Sequence, residues 1–229
     1  MRGMLFFAVA LAVLAGGAPI QADQFLGFEL LELDGASVKW RAPVDGAIPV
    51  VTYALVSAPT VFPEARNCTS MEPVQNTLTN SRIEMANFKK EVDAAFEMWA
   101  RAASIEFREA ADPAKANILI GAQTRPLGYA FADVHHKRGR GAELEIDRSL
   151  ICLNPERHWK IGFDGNLDSY DLRYAIAHEI GHAIGLDHPS ASGQLMSFRY
   201  DEQFRQLQSG DVRGVSLIYG ARAQSTTTR

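Results

Sequence analysis

Residues 178–188, His-Glu-Ile-Gly-His-Ala-Ile-Gly-Leu-Asp-His, constrain this chain more tightly than any other stretch. Read as a helix, His178 and His182 are four apart and project from one face, one turn above the other. Two imidazoles so placed can reach one metal ion, and the helix backbone fixes their separation. Glu179, beside the first ligand, holds the usual position of a general base in this arrangement. Gly185 lets the helix stop, because a residue without Cβ can turn left-handed and reverse the chain. The reversal brings His188 round as a third ligand. Three protein nitrogens, with the fourth position left to water, are the pattern of a catalytic zinc site. A bare H-E-x-x-H arises by chance on solvated helix faces. The added glycine and third histidine make chance far rarer.

His178, Glu179, His182, Gly185 and His188 match the signature of the metzincin zinc endopeptidases, and the chain resembles that family. Leu195-Met196-Ser197 stands where the family's Met-turn is expected, and Met196 follows His188 at the spacing of the matrixin branch. Tyr200 stands where matrixins place a tyrosine in the wall of the main specificity pocket, and Leu207–Gly220 resembles their last helix. The resemblance runs from about Val50 to Gly220. It implies an α+β metzincin fold: a mixed, mostly parallel five-stranded sheet with an antiparallel edge strand, two long helices and a C-terminal helix. It also implies one catalytic Zn2+ on His178, His182 and His188, with Glu179 acting first as base and then as acid in peptide hydrolysis. Met196 would form an apolar floor beneath the imidazoles. Gly128, Tyr129 and Ala130 would belong to the edge strand that pairs with an extended protein or peptide substrate.

Five positions depart from the matrixin pattern. Ser197-Phe198 stands where Tyr-Pro is common, and Pro189 where serine is frequent, which leaves the ligands intact but alters the pocket. Tyr129 and Glu145 occupy the positions of two structural-zinc histidines, so no second zinc is expected.

The N-terminus reads as a secretory signal peptide over residues 1–22: Arg2, an apolar run from Met4 to Ala15, then small residues up to Ala22. No later stretch is apolar for long enough to cross a bilayer. A secreted protein is therefore expected, extracellular or periplasmic. Residues 23–47 form a short lead-in, read as a strand or hairpin packing on the domain rather than a propeptide; 48–220 is the matrixin-like domain and 221–229 a polar tail. A hydrophobic content of 47% suits one domain with a real core. A monomer is expected. The net charge of −4 gives no reason to expect nucleic acid as a partner. In an oxidising compartment Cys68 and Cys152 read as a disulfide. The competing reading, Cys68 as a thiolate capping zinc in a latent form, lacks the conserved segment that matrixin propeptides use.

Along the chain, Val50–Val56 reads as a strand and 57–80 as a long loop. Ser81 to Ala103 reads as a helix with Phe88, Val92, Ala95, Phe96 and Trp99 as its buried stripe. Strands follow at Ile105–Arg108, Ile118–Gly121, Leu127–Ala132 and Leu144–Leu153, and the cationic stretch 133–141 reads as a solvated loop. Asp164-Gly165-Asn166-Leu167-Asp168 offers oxygens at alternate positions that Ca2+ would accept, although a bare turn of this composition is commoner. Asp171 is placed to cap the zinc-ligand helix. Two other functions fit the motif: a zinc-bearing module that binds without turnover, and a zinc hydrolase of non-peptide amides. Glu179 with all three histidines favours an enzyme, and the Met-turn with an edge strand favours peptides.

Overall fold

A computed structural model describes residues 27–222. The expected signal peptide and all but the first two residues of the expected tail lie outside this range.

The lead-in folds as β1 (Glu29–Leu30), β2 (Glu32–Leu33) and β3 (Ala36–Lys39). Asp34 and Gly35 both take positive φ, +52° and +77°, and make the tight turn between β2 and β3. Next comes β4 (Val50–Leu55). The stretch 57–80, expected to be loop, instead carries β5 (Thr60–Val61), β6 (Ser70–Glu72) and the short helix α1 (Gln75–Ser81). Elements of two, three and seven residues are too short to show a hydrophobic period. Arg82 turns left-handed at φ +55° and ends α1, so the following helix α2 starts later than expected and spans Met85–Ala102. The five residues of its apolar stripe are all buried, which contributes about 2 kcal/mol for each large side chain.

The remaining elements are β7 (Glu106–Glu109), β8 (Ile118–Gln123), β9 (Ala130–His136), β10 (Glu143–Leu153), β11 (Trp159–Lys160), β12 (Tyr170–Asp171), α3 (Leu172–Ala183), β13 (Leu186–Asp187) and α4 (Ser209–Tyr219). The expected sheet is present: β7, β4, β8 and β10 lie side by side in parallel, and β9 runs antiparallel along the far side of β10. The lead-in extends it, with β3 parallel to the first residues of β10 and β2 antiparallel to β3. β9 occupies 130–136, not 127–132 as the sequence suggested. Its charged end, read as loop, pairs with the eleven-residue β10, and an edge strand tolerates polar side chains on its open face.

Helices α2 and α3 cover one face of the sheet, and the Trp99 indole donates to the Ala177 carbonyl at 2.8 Å. The other face is covered by the 57–73 stretch around a smaller cluster with Cys68, Met71, Leu119 and Leu150. There Cys68 and Cys152 form a disulfide. Asp133 on β9 adds a second clamp, accepting from the backbone N–H groups of Asn67 and Cys68 at 2.8 and 2.6 Å. No helix among the described residues is long and apolar enough to cross a membrane.

Candidate metal centre and cleft

Helix α3 begins where Asp171 accepts from the Tyr174 N–H at 2.9 Å, a side-chain cap for an otherwise orphaned donor. His178 and His182 then share one face of the helix. Gly185 follows at φ +103°, with a Cβ built there falling 2.2 Å from the Val38 carbonyl oxygen, so only glycine fits without displacement. β13 then returns the chain to His188.

The three rings converge. His188 Nε2 lies 3.0 Å from His178 Nε2 and 3.2 Å from His182 Nε2. The outer nitrogens are anchored: His178 Nδ1 is 2.8 Å from the Leu195 carbonyl and His182 Nδ1 is 2.8 Å from the Leu186 carbonyl. Carbonyls only accept, so both Nδ1 atoms carry hydrogen and both Nε2 atoms turn lone pairs inward. Tetrahedral zinc with Zn–N near 2.0–2.1 Å needs its nitrogens about 3.3 Å apart. The donor set therefore fits such an ion in type, tautomer and spacing. Burial first, and then the neighbouring imidazole, holds His178 down to about 3 and His182 down to about 4; burial likewise lowers His188. All three rings are neutral at pH 7, the form that ligates a metal.

Beneath the rings, Met196 is buried. Its sulfur sits against Gly181, where an added Cβ would come within 2.2 Å of it. The turn carrying it is held by Asp211 of α4, whose carboxylate accepts from the N–H groups of Leu195 at 2.8 Å, Met196 at 3.0 Å and Gln208 at 2.7 Å. Asp211→Ala leaves three backbone donors without this acceptor and is expected to cost about 3 kcal/mol, read as a shift in the denaturant midpoint. An unchanged midpoint would show that the turn holds itself.

Glu179 is 8% exposed at the floor of a cleft of about 750 Å³. Burial pushes its carboxyl up to about 8, opposed by a hydrogen bond from the Ala132 backbone N–H. A cation held by the three imidazoles pulls that value back down.

One wall of the cleft is β9, whose only strand partner among the described residues is β10, so its outer edge faces the opening. Of the three residues expected on this edge, Ala130 opens the strand while Gly128 and Tyr129 precede it. The Gly128 carbonyl accepts from Asn154 Nδ2 at 2.8 Å and Arg157 Nε at 3.2 Å, and the Tyr129 carbonyl accepts from the Asn154 N–H at 2.8 Å. Tyr129 instead contributes its ring. It stacks on Tyr170 at 3.6 Å, Tyr170 stacks on Tyr200 at 4.1 Å, and all three line the cleft near Ala130.

Behind that wall, Glu91, Lys160, Arg173, Glu202 and Arg205 escaped the sequence reading and hold residues it had named. The Tyr200 hydroxyl accepts from the Asp171 N–H at 3.0 Å and donates to Glu202 at 2.7 Å. Arg205 grips Asp171 with two bonds of 2.8 and 2.7 Å and reaches the buried Glu91 at 2.7 Å, which Arg173 also pairs. The oxygens of the 164–168 turn meet a cation of the chain's own. Lys160 Nζ bonds the Asp164 carboxylate, the Asn166 carbonyl at 2.7 Å and Glu202 at 2.5 Å. Only Gly181 left a local trace, as a glycine inside a helix that costs about 1 kcal/mol unless packing requires it. The pairings of Arg205 and Arg173 with Glu91, of Arg205 with Asp171 and of Lys160 with Glu202 join distant residues and leave none.

A family model described as Matrixin matches residues 73–220. The chain is 28% identical over 156 residues to a hatching enzyme of Paracentrotus lividus, covering 65% of this chain and 25% of that protein. It is 28% identical over 156 residues to matrix metalloproteinase-19 of Mus musculus, covering 67% and 28%. It is 25% identical over 202 residues to matrilysin of Homo sapiens, covering 81% and 68%. The match thus spans about a quarter of the first two relatives.

Proposed function

The chain belongs to the matrixin family, and from that premise we propose that it is a secreted zinc-dependent endopeptidase. The observation that carries this reading is the convergence of three inward-facing imidazole nitrogens beside a buried carboxylate, along an open sheet edge. His178, His182 and His188 would hold the ion. Zinc bound there supplies Lewis acidity that polarises a peptide carbonyl and makes water a nucleophile near neutral pH.

The chain's own residues do the rest. The outer edge of β9 pairs with the substrate main chain, which presents an extended peptide and excludes compact folded segments. Gly128, Tyr129 and Ala130 shape the start of that edge, and the tyrosine wall ending in Tyr200 receives the side chain after the scissile bond. Glu179 accepts the proton of the attacking water and delivers it to the leaving amine. Met196 supports the rings from below without binding metal. Calcium has no part in this proposal, because Lys160 already bonds the Asp164 carboxylate and the Asn166 carbonyl of the 164–168 turn. The Cys68–Cys152 disulfide supports export to an oxidising compartment.

Incubation of denatured casein with zinc-loaded protein tests the proposal, beside the same protein after chelation. Peptide products from the loaded protein alone are expected. Zinc retention with no cleavage of casein or of varied peptide libraries would leave a binding module or a non-peptide hydrolase as the better reading.

A further inference from the structure

The N-terminal hairpin belongs to the core and to the cleft at once. Ala36, Val38 and Trp40 are buried, and the Trp40 indole donates to the Ala183 carbonyl at 2.9 Å. The Leu31 N–H donates to the Gly185 carbonyl at 2.9 Å, and β1 pairs with β13, so the segment is fixed to the residues that deliver His188. Leu31 and Leu33 are half-buried and line the cleft, while Glu32 between them is exposed. That is the alternation of an extended chain with one face turned inward. At the hairpin turn, Asp34 reaches His136 Nε2 at 3.2 Å, which brings this wall to the last residue of β9. The tyrosine wall stands at the other end, by Ala130.

This placement deepens the endopeptidase reading and rests on it. If the tyrosine end receives the residue after the scissile bond, the residues before that bond run toward His136 and the two leucines. We infer that Leu31 and Leu33 form an apolar subsite for the substrate side chain two or three residues before the scissile bond. Aliphatic side chains gain by leaving water there, whereas a carboxylate loses hydration against two side chains that offer no donor. The subsite lies outside the residues 73–220 that match the family model, so this preference belongs to the chain's own N-terminal segment.

The test uses zinc-loaded protein and fluorogenic peptides identical except for Leu, Ser or Glu at those two positions. The parent is expected to favour Leu about tenfold in kcat/KM, the scale of one apolar contact. The double variant Leu31→Ser, Leu33→Ser should bring the ratio of Leu-peptide to Ser-peptide kcat/KM to within about twofold, whatever its overall rate. Leu33→Lys, a single change at a half-exposed site, should move preference toward the Glu peptide and decides the matter should the double variant fail to fold. A parent with no preference for Leu, or variants that keep the parent's preference, would overturn the subsite and leave the endopeptidase reading standing. A parent that cuts none of these peptides, nor casein, overturns both.

Discussion

Glu179→Gln is expected to lower kcat/KM on casein and peptides by about 10³- to 10⁴-fold, toward the upper end for loss of an acid–base group. Zinc content should stay at the parent's level. The substitution keeps the side chain's volume and an oxygen able to accept from the Ala132 N–H, so packing at the cleft floor is preserved. What disappears is a carboxylate that can take a proton from water and return it to the leaving amine. Kinetics with metal analysis on the same preparation separate the two effects. A loss below about tenfold, with zinc retained, would remove Glu179 from the proton transfers.

Gly185→Ala is expected to damage the fold and the metal site together. The residue sits at φ +103°, where a Cβ is strained, and the added atom meets the Val38 carbonyl oxygen at 2.2 Å. Left-handed strain of about 1–2 kcal/mol and overpacking of about 1–3 kcal/mol act at one position. The obstacle is the backbone of β3, held by its ladder with β10 and by buried Trp40, so it cannot swing aside as a flexible side chain would. A loss of about 3 kcal/mol, or about 10 °C in melting temperature for a domain of this size, is expected. Zinc affinity should fall as well, because the turn at Gly185 aims His188. A variant with the parent's melting temperature and zinc affinity would contradict this account of the turn.

What the sequence made legible was local. His178, Glu179, His182, Gly185 and His188 lie within one helix and one turn, so spacing alone places them near one another, and the structure brings the three imidazoles together. The stripe on α2 carries enough helical turns to be read from its period, and all five of its members are buried. Legibility failed where elements are short or partners are remote. The hairpin strands have only two to four residues each, and their role at the cleft depends on contacts with Gly185 and His136 more than a hundred positions away. The charged end of β9 looked like solvated loop because an edge strand exposes one face, and the long β10 that pairs with it cannot be inferred from β9 itself. The 164–168 turn offered oxygens suited to calcium. In the structure its Asp164 carboxylate and Asn166 carbonyl bond Lys160, which also pairs with Glu202. Gly128 and Tyr129 fall two residues and one residue short of the strand, where Asn154 and Arg157 engage their carbonyls, a long-range competition with no sequence signal.

One zinc ion on His178, His182 and His188 is what we propose makes this chain an endopeptidase. The most direct measurement is casein cleavage by metal-free protein as zinc is added back in fractions of an equivalent, with His188→Ala run in parallel. A rise that levels off at one equivalent is expected for the parent, and no cleavage by the variant. Cleavage without zinc, or a fully loaded parent that leaves casein and all peptides intact, would contradict it.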